Sequence, residues 1–290
     1  MGRVNDNPAP SPAVSGDLRT RLLAGLALAP LVLLAAWAGG AWFGLLLLAG
    51  VALMAREWVD IVHGGETRQF VLHVVAGVSG LLAGAWPQKA GLFLSLAGLA
   101  WLASLWLTAR ALRGFTIHHV TGPLYIAAAA LAMMALRASP TCGASAIFFL
   151  FAVVWSADSL AYFTGRALGG PKFAPRISPK KTWSGFFGAV AGGALAGSVF
   201  GLVGGWPAGP LFLIGALLGG FEQFGDLYES VMKRRFGVKD SGTLIPGHGG
   251  ILDRVDGLVA AAVLALIIGA LATGTLHDAG CGLFKLWGWP

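Results

Sequence analysis

The sequence predicts an all-α, polytopic transmembrane helical bundle of about nine spans with its N-terminus in the cytoplasm. Three observations carry this expectation. Apolar residues fill 56% of the 290 positions, charged residues only 11%, and the mean hydropathy of +0.74 lies well outside the soluble range. Apolar runs approaching the roughly 20 helical residues that cross a ~30 Å hydrocarbon core recur along the chain. The 44 glycines are too many for soluble helices, but in membranes small residues let helix backbones approach.

Residues 1–18 read as a polar, Pro-containing tail. Apolar runs follow near 22–38, 42–55, 70–86, 90–109 and 120–136, forming an N-terminal transmembrane region over 19–143. A second region, 144–273, holds spans near 144–165, 184–204, 208–222 and 255–273, with polar loops at 166–183 and 223–254, and 274–290 is a C-terminal tail. The first run is expected to be a retained span, since a second follows at once and no clear small-residue cleavage site intervenes. Orientation follows Lys and Arg. In the nine-span layout 17 of the 20 basic residues fall on the cytoplasmic side, leaving Lys89, Arg137 and Lys285 outside. The net charge of +7 is thus explained by orientation and by anionic lipid heads, and no nucleic-acid motif is present. Trp37, Trp42, Trp86, Trp106 and Trp206 fall near span ends, where indoles favour the interface. Cys142 and Cys281 both land on the outer face, where a disulfide is permitted. Two unpaired thiols are the plainer expectation from sequence, and the disulfide is the alternative.

Two cytoplasmic segments hold the polar groups. The first starts at Asp158, which the span layout places inside a helix about two turns from its cytoplasmic end, where a carboxylate is costly and a functional candidate. Its alternative role is a structural partner for Arg166 or a helix end. The following loop carries Arg166, Lys172, Arg176, Lys180 and Lys181 with no acid, a composition suited to an anionic ligand and equally to lipid heads. The second segment, Ser230 to Asp256, adds carboxylates. Asp226, Asp253 and Asp256 are candidate metal ligands, and a helix starting near Leu252 would set Asp253 and Asp256 on one face. Hard oxygens of this kind favour Mg²⁺, which completes its shell with waters and substrate phosphates. The structural alternative is that Asp253 and Asp256 pair with Arg254 or with Lys233, Arg234 and Arg235. Gly247, Gly249 and Gly250 around His248 supply backbone that can approach phosphate oxygens. His248 is a phosphate contact, a proton donor or a capping side chain. His63, His73, His118 and His119 have no acidic or cysteine partner at metal spacing and receive no role.

Ser230, Met232, Lys233, Arg234, Lys239, Asp240, Gly242, Ile245, Pro246, His248, Gly249, Gly250, Ile251, Asp253, Arg254, Val255 and Asp256 stand in a register that resembles the motif of the phosphatidate cytidylyltransferase, or CDP-diacylglycerol synthase, family. The resemblance continues through Gly225-Asp226-Leu227, through Asp158, Ala161, Tyr162, Gly165 and Arg166, and through Ser178 to Trp183, and more loosely over the whole chain. Ser184 departs from it, because relatives carry an acid there. The resemblance implies transfer of CMP from CTP to phosphatidic acid, releasing pyrophosphate, in a bacterial inner membrane with the site at the cytoplasmic face. It implies Mg²⁺ or Mn²⁺, a second, monovalent cation such as K⁺, and a homodimer.

Carried onto this chain, it assigns catalytic roles to Asp226, Lys239, Asp240, His248, Asp253, Arg254 and Asp256, with the metal on Asp226, Asp253 and Asp256. Substrate binding falls to Asp158, Arg166, Ser178, Lys180, Lys181, Ser230, Lys233, Arg234, Gly249 and Gly250. Two alternatives stay open. A CTP-dependent polyprenol kinase or a CDP-archaeol synthase would share these devices. A transporter of an anionic solute would hold its binding groups near the bilayer midplane, whereas the charge here gathers at one face.

Overall fold

The computed structural model describes residues 17–111, 116–242 and 249–285, with side chains from residue 28 onward. Nine long helices occupy these residues: α1 (Asp17–Ala38), α2 (Gly40–His63), α3 (Thr67–Ala85), α4 (Ala90–Ala111), α5 (His118–Ala138), α6 (Gly143–Leu168), α7 (Trp183–Gly204), α8 (Ala208–Arg235) and α9 (Leu252–Thr273). A short α10 (Ala279–Gly282) follows. Six of them, α3 to α7 and α9, are long and apolar enough to cross a membrane. The chain is therefore an all-α membrane protein.

Two boundaries differ from the sequence expectation. The 166–183 loop contains a small antiparallel hairpin, β1 (Lys172–Ala174) with β2 (Ser178–Thr182), whose register is irregular between Lys172 and Ala174. The 223–254 segment is helical as far as Arg235, because α8 continues with a buried stripe of Glu222, Gly225, Glu229 and Met232 at helical spacing. Polar residues on this stripe end the hydropathy signal without ending the helix.

Small residues set the packing, as expected in a bundle without a hydrophobic drive between helices. A Cβ on Gly193 of α7 would stand 2.1 Å from the carbonyl oxygen of Gly215 on α8, so these two backbones touch. The core lies between α2, α5, α6, α8 and α9, where Phe43, Trp58, Ile126, Phe149, Leu150, Leu218 and Leu252 are fully buried. Outward, Leu202, Val203 and Leu271 are exposed on helix faces that lipid would cover. Trp37, Trp42, Trp86 and Trp106 are exposed near helix ends, while Trp206 turns inward and stacks on Phe284 at 4.6 Å.

One end of the bundle is tied covalently. Cys142, just before α6, is disulfide-bonded to Cys281 in α10, with a Cα–Cα distance of 4.9 Å. The unpaired thiols expected from sequence are thus replaced by a bridge between segments 139 residues apart. Next to it, Gly280 N–H donates to Ser139 Oγ at 2.7 Å. Arg137 donates to the carbonyls of Ala36 and Trp37 at 2.6 and 2.9 Å, fixing the end of α1 to the same end.

Candidate active site

The other end of α6 holds the polar groups. Asp158 on α6, Glu222 and Asp226 on α8, and Asp256 in the first turns of α9 lie within electrostatic reach of one another and of Lys181 on β2. What joins α8 to α9 here is a close backbone approach, since a Cβ on Gly225 would stand 2.3 Å from the carbonyl oxygen of Asp256. Lys181 Nζ sits 2.7 Å from Asp226 Oδ2 and donates to Gln223 Oε1 at 3.0 Å. Gln223 in turn donates to Glu222 Oε1 at 2.7 Å, and Ser230 Oγ donates to Asp226 Oδ1 at 3.2 Å. Lys181, with Lys233 and Arg254 also within electrostatic reach, answers four acidic side chains, which outnumber these cations and leave a place for a further one.

Of these groups, Asp158, Lys181, Gln223 and Asp226 open onto a cleft of about 480 Å³ between α6, the hairpin, α7 and α8. Asp158, Arg166, Lys180, Lys181, Gln223 and Asp226 line its polar side. Phe173, Phe186 and Tyr162 line its apolar side, and the Tyr162 hydroxyl accepts a hydrogen bond from Arg166 at 2.8 Å. Ser178 begins β2, half-buried, and brings no contact to the carboxylates that the structure describes. Ser184 donates to the carbonyl of Gly169 and lies 2.9 Å from Thr182 Oγ1. It closes the loop between α6 and α7, where the family resemblance would put an acid.

Asp253 belongs to a second cluster. Lys233 forms ion pairs with both Asp253 Oδ1 and Glu229. Asp253 Oδ2 accepts from the N–H groups of Ser241 and Gly250 at 2.8 and 3.0 Å and lies 3.0 Å from Ser241 Oγ. Gly249 has a φ of +82°, which only glycine adopts freely. The expected trio Asp226, Asp253 and Asp256 is therefore divided: Asp226 and Asp256 share the first cluster, and Asp253 holds Lys233 and the turn before α9. Arg234 donates to the carbonyl of Val238 at 3.4 Å, and Lys239 and Asp240 are exposed on the turn. Arg254 is exposed and acts electrostatically on Asp158. His248 lies outside the described residues, as do Ile245, Pro246 and Gly247.

Among the described residues no three His, Cys, Asp or Glu side chains stand where they could hold a metal ion between them. Mg²⁺ does not require three, because it is commonly held by one or two carboxylates with substrate phosphates and water. Asp226 and Asp256 supply hard oxygens in a surplus of negative charge, so their chemistry fits such an ion. Asp253 is held more firmly, by Lys233 and by the backbone N–H groups of Ser241 and Gly250.

The model of the Cytidylyltransferase family matches residues 19–272, nearly the whole chain. The chain belongs to the cytidylyltransferase family. Two of the named relatives below match it over a similar length, and the third over a shorter stretch. The phosphatidate cytidylyltransferase of Brucella abortus biovar 1 is 44% identical over 270 residues, covering 88% of this chain and 94% of the relative. That of Pseudomonas aeruginosa is 37% identical over 271 residues, covering 89% and 99%. That of Bacillus subtilis is 47% identical over 116 residues, covering 39% and 43%. As a cytidylyltransferase-family chain, it has a cleft, cations and carboxylates that can be read as parts of a nucleotide-phosphate site.

Sequence reasoning missed two buried acids near this candidate site. Glu222 closes the 208–222 apolar run and sits on the buried stripe of α8, 1% exposed beside the carboxylates. Glu57 lies in α2, far from both polar segments in sequence, and reaches the start of α9. The available signal was periodicity: Glu57 follows Met54 at i+3 on the core-facing stripe of α2, where a charge needs a reason. The ring of His63 also lies 5.4 Å, centroid to centroid, from each of His73 and His119, and His118 and His119 pack edge-on to Phe236.

Proposed function

We propose that this chain transfers CMP from CTP to phosphatidic acid, giving CDP-diacylglycerol and pyrophosphate. The observation that carries it is a cleft lined by Asp226 and Lys181, with Asp256 within electrostatic reach of both, in a chain of the cytidylyltransferase family. A phosphate monoester loses its second proton near pH 6, so the lipid phosphate oxygen is already a nucleophile at neutral pH and no general base is needed. That oxygen bonds to the α-phosphorus of CTP while the bond from this phosphorus to the β-phosphate oxygen breaks, and pyrophosphate leaves with the electron pair. The barrier is repulsion between two anions, so catalysis is positioning and charge neutralisation.

Lys180, Lys181 and Arg166 line the cleft and are assigned to the triphosphate. Lys233, Arg234, Lys239 and Arg254 are assigned to triphosphate or lipid phosphate, with Lys233 held in place by Glu229 and Asp253. Asp226 and Asp256 would hold Mg²⁺ or Mn²⁺, with Asp158 facing them, and such an ion supplies neutralisation of the reacting phosphates. A monovalent cation such as K⁺ and a homodimer belong to the same proposal, the latter checked by the mass of the detergent-solubilised particle.

The disulfide supports one orientation. Bridges persist in oxidising compartments, so the Cys142–Cys281 end is assigned to the outer face. Helix α6 runs from there to the cleft over 26 residues, about 39 Å at 1.5 Å per residue, enough to cross the bilayer. The cleft is then cytoplasmic, where CTP is dissolved. Because α1 ends beside Arg137 at the outer end, its start is cytoplasmic too. Nine spans in a bacterial inner membrane complete the proposal.

The test is incubation of detergent-purified protein with α-³²P CTP, phosphatidic acid and Mg²⁺, with and without EDTA. Metal-dependent label in the lipid phase with matching pyrophosphate supports the transferase. Unlabelled lipid with released CDP would show a kinase instead, and no turnover would refute the substrate assignment.

A further inference from the structure

Glu57 is 7% exposed and comes from α2, outside both polar segments of the sequence. Its Oε1 accepts from Ile251 N–H at 2.8 Å, and its Oε2 accepts from Leu252 N–H at 2.9 Å and lies 3.0 Å from Ser241 Oγ. The first N–H groups of a helix have no partner within it. Ile251 caps α9 with no side-chain hydrogen bond of its own, so a carboxylate 195 residues away performs the capping. The positive end of the helix dipole favours a buried negative charge there.

Ser241 extends the constraint, because its N–H and hydroxyl also reach Asp253 Oδ2, at 2.8 and 3.0 Å. The surrounding glycines mark where Glu57 enters. A Cβ on Gly242 would stand 2.9 Å from Glu57 Oε1, with its other near contacts on Glu57 as well. One on Gly250 would stand 2.6 Å from Glu57 Oε2 and 2.1 Å from Ser241 Oγ. The N-terminal region, which shares no motif with the polar segments, thus holds the joint between the 239–242 turn and the first turn of α9.

We propose that Glu57 is a positioning residue for nucleotidyl transfer: it fixes the first turn of α9, and with it Asp253, Arg254 and Asp256, against the turn that carries Lys239 and Asp240. This rests on the function proposed above. Glu57→Gln keeps the shape but offers one acceptor oxygen in place of two, so one N–H of the α9 start is left facing an amide N–H₂.

The experiment is steady-state kinetics with CTP, phosphatidic acid and Mg²⁺ on full-length Glu57→Gln, Glu57→Ala, Gly242→Ala and the Glu57→Ala/Gly242→Ala double variant, with thermal melting of each in detergent. A fall in kcat of about tenfold for Glu57→Gln and about 100-fold for Glu57→Ala is expected, with KM for CTP changed by less than about threefold. Glu57→Gln should melt within a few degrees of the parent. Gly242→Ala should lower kcat alone but add nothing in the Glu57→Ala background, because its clash is with Glu57. Normal kcat in Glu57→Gln, or lost activity fully accounted for by unfolded protein, overturns the proposal. If both Glu57 variants fail to fold, normal turnover by Gly242→Ala overturns it equally. A parent protein that does not turn over these substrates refutes the function itself, a distinct result.

Discussion

Gly225→Ala tests whether the two proposed metal carboxylates depend on one backbone crossing. An added Cβ would stand 2.3 Å from the carbonyl oxygen of Asp256, 3.0 Å from its carbon and 2.8 Å from Ala260 Cβ. Ordinary contact begins near 3.4 Å, so α8 and α9 must part by about 1 Å at this point. Neither obstructing group is the end of a flexible side chain, and no rotamer change relieves the clash. Asp226 is the next residue and Asp256 the one struck, so the separation opens between the two side chains that must act together. A misplacement of about 1 Å in reacting geometry costs on the order of 10²-fold in rate. The accompanying overpacking costs about 1–3 kcal/mol of stability. We therefore expect kcat for CDP-diacylglycerol formation to fall about 100-fold while the protein still purifies as a folded particle, measured by lipid-phase label from α-³²P CTP. Gly209→Ala, in the same helix with nothing near its Cβ, is the control and should be neutral. Turnover of Gly225→Ala within about threefold of the parent would refute the dependence of the site on this crossing.

Asp256→Asn should lower kcat by about 100-fold or more, because a carboxylate that holds charge at the transferring phosphate acts mainly in the transition state; near-normal turnover in the radiolabel assay would remove it from the site. Asp253→Asn should behave differently, since an amide oxygen can still accept from Ser241 and Gly250 while the ion pair with Lys233 is lost. The Mg²⁺ concentration for half-maximal rate should rise in Asp256→Asn and stay unchanged in Asp253→Asn, and equal shifts would contradict the division of the acids. Lys181→Met leaves Asp226 without its 2.7 Å partner and should raise KM for CTP about tenfold or more, read from CTP titrations at saturating lipid. The Cys142→Ser/Cys281→Ser variant should lose about 2–4 kcal/mol of stability, seen as a lower melting temperature, while kcat is unchanged because the bridge lies at the far end of α6. A matching fall in kcat would contradict that placement.

Much of the fold was legible because a bilayer demands long apolar runs, and each run near 22–38 through 255–273 corresponds to one long helix. Helix ends were less legible wherever a helix leaves hydrocarbon but not protein. The runs at 42–55 and 208–222 stop at the first charges, yet α2 continues to His63 and α8 to Arg235, because Glu57 and Trp58 on one helix and Glu229 and Met232 on the other remain buried. The hairpin was not legible at all. Its strands are three and five residues long, one of them contains Pro179, and hydropathy alternation cannot register over so short a span. Nor could spacing show that Cys142 and Cys281 meet, since that depends on how α10 folds back onto α5, α6 and α9.

The candidate site shows the same limit at finer scale. The sequence picked out Asp226, Asp253 and Asp256 as equals, with Asp158 behind them, because a sequence displays carboxylates but not what their oxygens already hold. In the fold Asp253 is committed to Lys233, Ser241 and Gly250, whereas Asp226 retains one side chain oxygen on Lys181 and another on Ser230 and is 41% exposed at its side chain. A group whose acceptor positions are filled by backbone N–H donors organises structure, since removing them would leave those donors unpaired. A group balanced only by mobile side chains can exchange them for an incoming cation and phosphate at small cost. That difference, rather than burial or motif membership, separates Asp226 from Asp253, while Asp256 takes a single backbone N–H, that of its neighbour Gly257 at 2.9 Å, where Asp253 takes two from the turn. Glu57, with both oxygens bound to backbone N–H groups of the α9 start, belongs with Asp253.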